Sequence, residues 1–253
     1  MKIFALHLRQ RFFKKQFSYL ALLLMLFASQ YSVANEKQYS GINRTTFYNS
    51  EYNKHFVGNG FLIKYNNKLY ALTVKHTLFE AKTPTMNAVA IEKHIQSWQI
   101  HPNQSPNSLV KLGKLLNAND NEAIDMNILS KDWLIFEVEE NKSSLEILTL
   151  RESPLTKGEQ VIAYGCSYAK QESCVQDKYP GKFISEEANN LRINMPDIDL
   201  TSLRGLSGSP VLDSNHQVVG IVSNVLPSKS GKGFDFAPAN LNYLKQQLNH
   251  LAN

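Results

Sequence analysis

Gly205-Leu206-Ser207-Gly208-Ser209-Pro210 carries a hydroxyl with glycine on either side, directly ahead of a short apolar strand, Val211-Leu212. Glycine lets the chain enter the positive-φ region that tight turns need. Such a turn exposes a serine Oγ and brings backbone N–H groups together beside it. Acyl transfer requires that arrangement, because charge developing on the substrate carbonyl oxygen must meet donors already in place. Glycine-serine turns are common in all-β proteins, so the stretch gains its meaning from what lies upstream.

Two upstream segments complete the set. Tyr70-Ala71-Leu72-Thr73-Val74-Lys75-His76-Thr77 is an apolar strand ending in histidine, and Gly58-Asn59-Gly60-Phe61-Leu62-Ile63 precedes it. Asp132-Trp133-Leu134-Ile135-Phe136-Glu137-Val138 sets an aspartate ahead of another apolar strand. In the order His, Asp, Ser these segments resemble the catalytic signatures of trypsin-like serine proteases. The likeness extends from about residue 41 to residue 241 and is nearest to the bacterial branches, HtrA-type proteases and the staphylococcal glutamyl endopeptidase. The resemblance implies two six-stranded antiparallel β-barrels with an active cleft between them.

It also implies roles. Serine is a weak nucleophile until an imidazole takes its proton, and the imidazole needs a carboxylate to hold its tautomer. By resemblance Ser207 is the nucleophile, His76 the general base and then acid, and Asp132 the orienting carboxylate. The N–H groups of Gly205 and Ser207 would form the oxyanion hole. Asp132 has a rival in Asp125, which precedes Met126-Asn127-Ile128-Leu129; the longer apolar run after Asp132 favours it. Ser209 rivals Ser207 but abuts Pro210 and lacks a glycine on both sides.

The chain departs from the family in the pocket and beside the nucleophile. Leu206 stands where trypsin has the aspartate that pairs with a new N-terminal amine and where HtrA-type enzymes have asparagine. Either the hole is preformed or another device organises it, and a binding protein with a collapsed hole is the alternative reading. Thr201, six residues before Ser207, replaces the acid that holds lysine or arginine; without it a buried cation would lack a counter-charge. In Gly220-Ile221-Val222-Ser223-Asn224-Val225, which matches the pocket wall, Val222 occupies the place of the glutamate-reading histidine. Ser223 and Asn224 continue the wall, and Val225 replaces a glycine. A shallow pocket for small aliphatic side chains is expected. Gly233-Phe234-Asp235-Phe236-Ala237-Pro238-Ala239-Asn240 resembles the segment near the end of HtrA-type protease domains that helps to form the pocket. No PDZ module is expected on this chain.

Residues 1–34 read as an export signal. Lys2, Arg9, Arg11, Lys14 and Lys15 precede the ten-residue apolar run from Tyr19 to Ala28, and Ser32-Val33-Ala34 offers a cleavage site before Asn35. The run is well short of the ~20 residues that span a bilayer as a helix. A periplasmic or secreted location, with no stable membrane span after cleavage, follows. Five of the 27 basic residues lie in this leader, which holds no acidic residue, so residues 35–253 carry 22 of each sign. The sequence pI of about 9.0 is thus a property of the leader and gives no support for nucleic-acid binding. Peptides or proteins are the expected partners, and no cofactor is implied.

Cys166 and Cys174 are the only cysteines; in an exported chain they are expected to pair. No third ligand at suitable spacing suggests a metal site. After the leader, 219 residues suffice for a full all-β core. Strands are expected at 60–63, 68–74, 88–92 and 133–138 in a first barrel (41–140), and at 160–164, 191–194, 209–212 and 218–223 in a second (158–240). Asn66-Asn67 and Asp213-Ser214-Asn215 read as hairpin turns, residues 139–158 as the crossover, and residues 239–252 as a terminal helix. The stretch 81–131 is the least legible part and is expected to carry an insertion.

Overall fold

In chain order the strands of the first half are β1 (Gly41–Phe47), β2 (Asn59–Tyr65), β3 (Lys68–Thr73), β4 (Ala88–Val89), β5 (Ile95–His101), β6 (Val110–Leu115), β7 (Asn119–Ala123), β8 (Leu134–Asn141) and β9 (Ile147–Leu148). The second half holds β10 (Gln160–Gly165), β11 (Asp177–Glu187), β12 (Asn190–Asn194), β13 (Pro210–Leu212), β14 (Val218–Pro227), β15 (Phe234–Asn240) and the helix α1 (Asn242–Ala252). This computed structural model describes residues 36–195, 199–229, 231 and 233–252. The expected leader and its cleavage site lie outside them.

The first ring runs β1-β5-β6-β8-β3-β2 and closes where Gly41 and Ile42 pair with Gly60 and Asn59. The second runs β10-β11-β12-β15-β14-β13 and is also closed. The fold is therefore the expected pair of six-stranded antiparallel barrels with a C-terminal helix. Closure leaves no unpaired sheet edge around either ring. Asn66 and Asn67 both take positive φ, 46° and 61°, which a type I′ turn between β2 and β3 requires.

Three buried clusters explain which strands stand out in the sequence. Leu62, Ala71, Leu134 and Phe136 fill the first barrel, and Val161, Ala163, Val211 and Val219 fill the second. Their strand neighbours Phe61, Leu72, Ile135, Tyr164, Leu212 and Val218 point the other way, into a layer that also receives Leu244 and Leu248 of α1. Strands β2, β3, β8, β10 and β13 are therefore apolar on both faces, and they read as continuous apolar runs.

Several boundaries differ from the sequence reading. The stretch 81–131 is no simple insertion, because it supplies barrel strands β5 and β6. Residues 88–92 shrink to the two-residue β4, which pairs with β7 in a ribbon outside the barrel. Strands β1, β11 and β15 also go beyond the expected set. β11 alternates buried and exposed residues, β1 carries the polar run Asn43-Arg44-Thr45-Thr46, and Asp235, Pro238 and Asn240 interrupt β15, so none forms a solid apolar run. Ala239 and Asn240 finish β15, so the helix begins at Asn242. Cys166 and Cys174 are joined as expected. Closing so short a loop stabilises the fold by roughly 2–3 kcal/mol in the chain-entropy description.

Candidate active site

His76 follows β3 in a 3₁₀ turn, Lys75–Phe79, whose Thr77 hydroxyl donates to the Val74 carbonyl at 2.6 Å. Asp132 closes a second 3₁₀ turn, Met126–Lys131, immediately before β8. Trp133 secures that junction by donating Nε1–H to the Asn240 carbonyl at 3.0 Å. Both residues belong to the first barrel. Ser207 comes from the second, in the turn between a 3₁₀ segment (Leu200–Leu203) and β13.

The barrels bring the three side chains into one chain of hydrogen bonds. His76 Nε2 lies 2.6 Å from Ser207 Oγ, and Nδ1 lies 2.6 Å from Asp132 Oδ2. Asp132 is fully buried, so its carboxylate needs donors to replace water. It has three: His76 Nδ1–H, the His76 backbone N–H on Oδ1 at 2.9 Å, and the Ser223 hydroxyl on Oδ2. A carboxylate that accepts Nδ1–H leaves the Nε2 lone pair free to face the serine hydroxyl. The arrangement can therefore move a proton from Ser207 Oγ to His76.

Neither rival is in this chain. Asp125 is exposed and accepts the Asn127 N–H at 2.8 Å, capping the 3₁₀ turn. Ser209 is fully buried, and its Oγ has no hydrogen-bond partner among the described residues.

The turn around Ser207 depends on two glycines with positive φ, Gly205 at 95° and Gly208 at 86°. A Cβ on Gly208 would stand 2.0 Å from the Asn59 carbonyl oxygen, and one on Gly205 would stand 2.6 Å from the Tyr168 nitrogen. The Arg204 carbonyl accepts from Tyr168 N–H at 2.9 Å, and the Leu206 carbonyl accepts from Ser209 N–H at 2.9 Å. In a trans peptide the N–H points opposite to its carbonyl. The N–H groups of Gly205 and Ser207 are thus turned away from Tyr168 and Ser209, and no acceptor engages them among the described residues. Leu206, fully buried, packs into the second barrel core with Val161, Ala163, Leu203, Val211 and Val222. Burial of an apolar side chain anchors the turn where trypsin uses an ion pair.

The expected pocket residues fall into different environments. Ser223 is spent on Asp132, a role the sequence reading did not give it. Val222 is 5% exposed and belongs to the barrel core, whereas Val225 is 42% exposed. Asn224 is half-buried, and its Oδ1 lacks a hydrogen-bond partner among the described residues. Thr201 is exposed, and its hydroxyl donates to Asp199 at 2.6 Å. Asn59 and Tyr168, which the sequence reading passed over, both touch the Ser207 turn. Beside it, burial and the Glu80 carboxylate push the Tyr168 phenol up to about 12. Among the described residues no group of three or more His, Cys, Asp or Glu is placed to hold a metal ion.

Solved structures that share the fold include two proteases. A Glu endopeptidase in complex with MPD superposes with a TM-score of 0.56 at 19% identity, covering 87% of this chain and 94% of its own. The Rv3671c protease of M. tuberculosis, in its active form, superposes with a TM-score of 0.53 at 15% identity, covering 86% of this chain and 82% of its own. A sequence search among curated proteins finds no match. The family model for the trypsin-like peptidase domain matches residues 58–221, which span β2 to β14 and include His76, Asp132 and Ser207. By that match and by its two-barrel fold, the chain belongs to the trypsin-like peptidase family.

Proposed function

We propose that the protein is an exported serine endopeptidase that hydrolyses peptide bonds through His76, Asp132 and Ser207 and an acyl-enzyme intermediate. The observation that carries this reading is the unbroken chain Ser207 Oγ–His76–Asp132, with both imidazole contacts at 2.6 Å. Ser207 Oγ attacks the substrate carbonyl carbon while its proton passes to His76 Nε2. Asp132 stabilises the imidazolium without taking its proton. The tetrahedral oxygen, now negative, is received by the N–H groups of Gly205 and Ser207. Loss of one such donor typically costs about 2.7–4 kcal/mol of transition-state stabilisation. His76 then gives its proton to the departing amine, the C–N bond breaks, and the acyl group remains on Ser207. Water attacks the ester by the same route in reverse and frees the acid.

Packing of Leu206 in the apolar core supports a preformed hole over a collapsed one, because an anchored turn has no need of a new N-terminal amine. For specificity, Thr201 and Val222 supply no charge to a pocket and Val225 stands where a glycine would leave room, so small aliphatic side chains before the scissile bond are the preferred substrates. The basic segment, apolar run and small residues of positions 1–34 support export with cleavage after Ala34, to the periplasm or beyond.

A fluorophosphonate probe applied to the purified mature protein tests the reading. The expected result is an adduct on Ser207, lost in His76→Ala, with N-terminal sequencing that begins at Asn35. A folded protein that takes no adduct, or takes it on Ser209, refutes the assignment.

A further inference from the structure

Asn59 is fully buried at the start of β2, in the barrel opposite the nucleophile. Its backbone N–H donates to the Ser207 carbonyl at 2.7 Å. Both ends of its side-chain amide are engaged: Oδ1 accepts the Cys166 N–H at 3.0 Å, and Nδ2 donates to the carbonyls of Gly205 at 2.7 Å and Cys166 at 3.0 Å. The network fixes the amide's orientation, because the opposite one would aim oxygen at two carbonyls. The Asn59 carbonyl is itself held by the Asn43 amide at 2.6 Å and the Thr73 hydroxyl at 2.8 Å. The residue is therefore rigid before it reaches the turn.

Its contact with Gly205 matters because glycine at φ 95° has no side chain to resist rotation of its flanking peptides. Those two peptides are pinned from different sides. The Arg204–Gly205 peptide is held through the Arg204 carbonyl by Tyr168 N–H, from the loop closed by Cys166 and Cys174. The Gly205–Leu206 peptide is held through the Gly205 carbonyl by Asn59 Nδ2. Rotation of either peptide breaks a buried hydrogen bond, and rotation of the first carries the Gly205 N–H away from the developing charge.

We propose that Asn59 is a positioning residue for the oxyanion hole, acting with the Tyr168 N–H to lock Gly205 with its N–H presented to the substrate. The proposal rests on the serine-protease reading above. Asn59 touches no substrate. Burial of Leu206 anchors the turn from the second barrel, and Asn59 holds Gly205 from the first.

The test compares the unsubstituted protein with Asn59→Ala on a peptide amide and with a peptide aldehyde, whose hemiacetal oxygen occupies the hole. Direct loss of a hole donor lowers kcat by about 10²–10³, so loosening one is expected to lower it about 10- to 100-fold. KM should stay within about twofold, since a ground-state carbonyl depends little on the hole. Aldehyde affinity should fall in parallel with kcat. Tyr168→Pro provides a second route should Asn59→Ala fail to fold. Tyr168 opens a 3₁₀ turn after Ser167 at φ −83°, ψ 160°, which suits a residue ahead of proline; the change removes the N–H and sets the ring Cδ in its place, so the Arg204 carbonyl must leave its position. Tyr168→Ala loses the same ring but keeps the N–H, and Tyr168→Pro is expected to fall below it in kcat by a similar factor. A folded Asn59→Ala with unchanged kcat and aldehyde affinity overturns the clamp alone, as does equality of the two Tyr168 variants. An unsubstituted protein that fails to acylate overturns the protease reading and the clamp with it.

Discussion

Asp132→Asn changes one atom, and the structure dictates how the new amide must sit. The His76 backbone N–H approaches Oδ1 at 2.9 Å and cannot reverse its polarity, so the amide oxygen stays there. The NH₂ group then takes the Oδ2 position, facing His76 Nδ1 and Ser223 Oγ. Ser223 adapts, because a hydroxyl can turn to accept. The imidazole adapts by accepting at Nδ1, which puts its proton on Nε2, against Ser207 Oγ, and that tautomer cannot take the serine proton. The productive tautomer needs the amide flipped, with NH₂ against a backbone N–H inside a fully buried site. Leaving those two donors unpaired costs about 1–3 kcal/mol each, or about 2–6 kcal/mol together. Turnover should therefore fall by ~30-fold to ~2 × 10⁴-fold. The assay is steady-state kcat on a peptide amide, with thermal unfolding to verify that the fold is kept. Asp125→Asn is the matched control, and it should be near neutral, because asparagine caps a turn as well as aspartate does. A loss below about tenfold in Asp132→Asn, or a larger loss in Asp125→Asn, would refute the reasoning.

Two further outcomes are expected. Leu206→Ala should lower unfolding free energy by about 2.7–5 kcal/mol, the range for a fully buried leucine, and denaturant titration measures it; a loss under about 1 kcal/mol would mean that the core does not anchor the turn. His101 is buried and donates Nδ1–H to the Pro102 carbonyl at 2.9 Å, and burial holds its pKa below the ordinary histidine value. The unfolded chain then takes up a proton before the folded one does, so stability should fall as pH drops below about 6.5 and level off below the folded pKa. His101→Asn should lessen that decline in melting temperature between pH 7 and pH 5, and an unchanged profile would remove His101 as its source.

The proposed chemistry is readable in sequence because its turns are local. A histidine at a strand end, an aspartate ahead of an apolar strand and a serine between glycines each have a turn built from neighbouring residues. The two-barrel class was readable for a related reason. Strands β2, β3, β8, β10 and β13 are apolar on both faces, one toward a barrel interior and the other toward the layer between barrels and helix. Strands β1, β5, β6 and β11 bury one face along much of their length, and their polar alternation hides them among loops. The choice of Asp132 over Asp125 leaned on the length of an apolar run, but the hydrogen bonds that separate the two come from the distant residues His76 and Ser223. Leu206 in sequence only removed an ion pair, and the barrel core that holds it exists only after folding. Ser223 looked like pocket wall and became a ligand of Asp132, 91 positions away in the chain. Asn59 shows the limit most clearly. Nothing in Gly58-Asn59-Gly60 marks a contact with Gly205, because a hydrogen bond that spans 146 positions is made by the meeting of two barrels. Short-range physics set which residues offer the proposed catalytic chemistry, and long-range packing decided which of them are brought together.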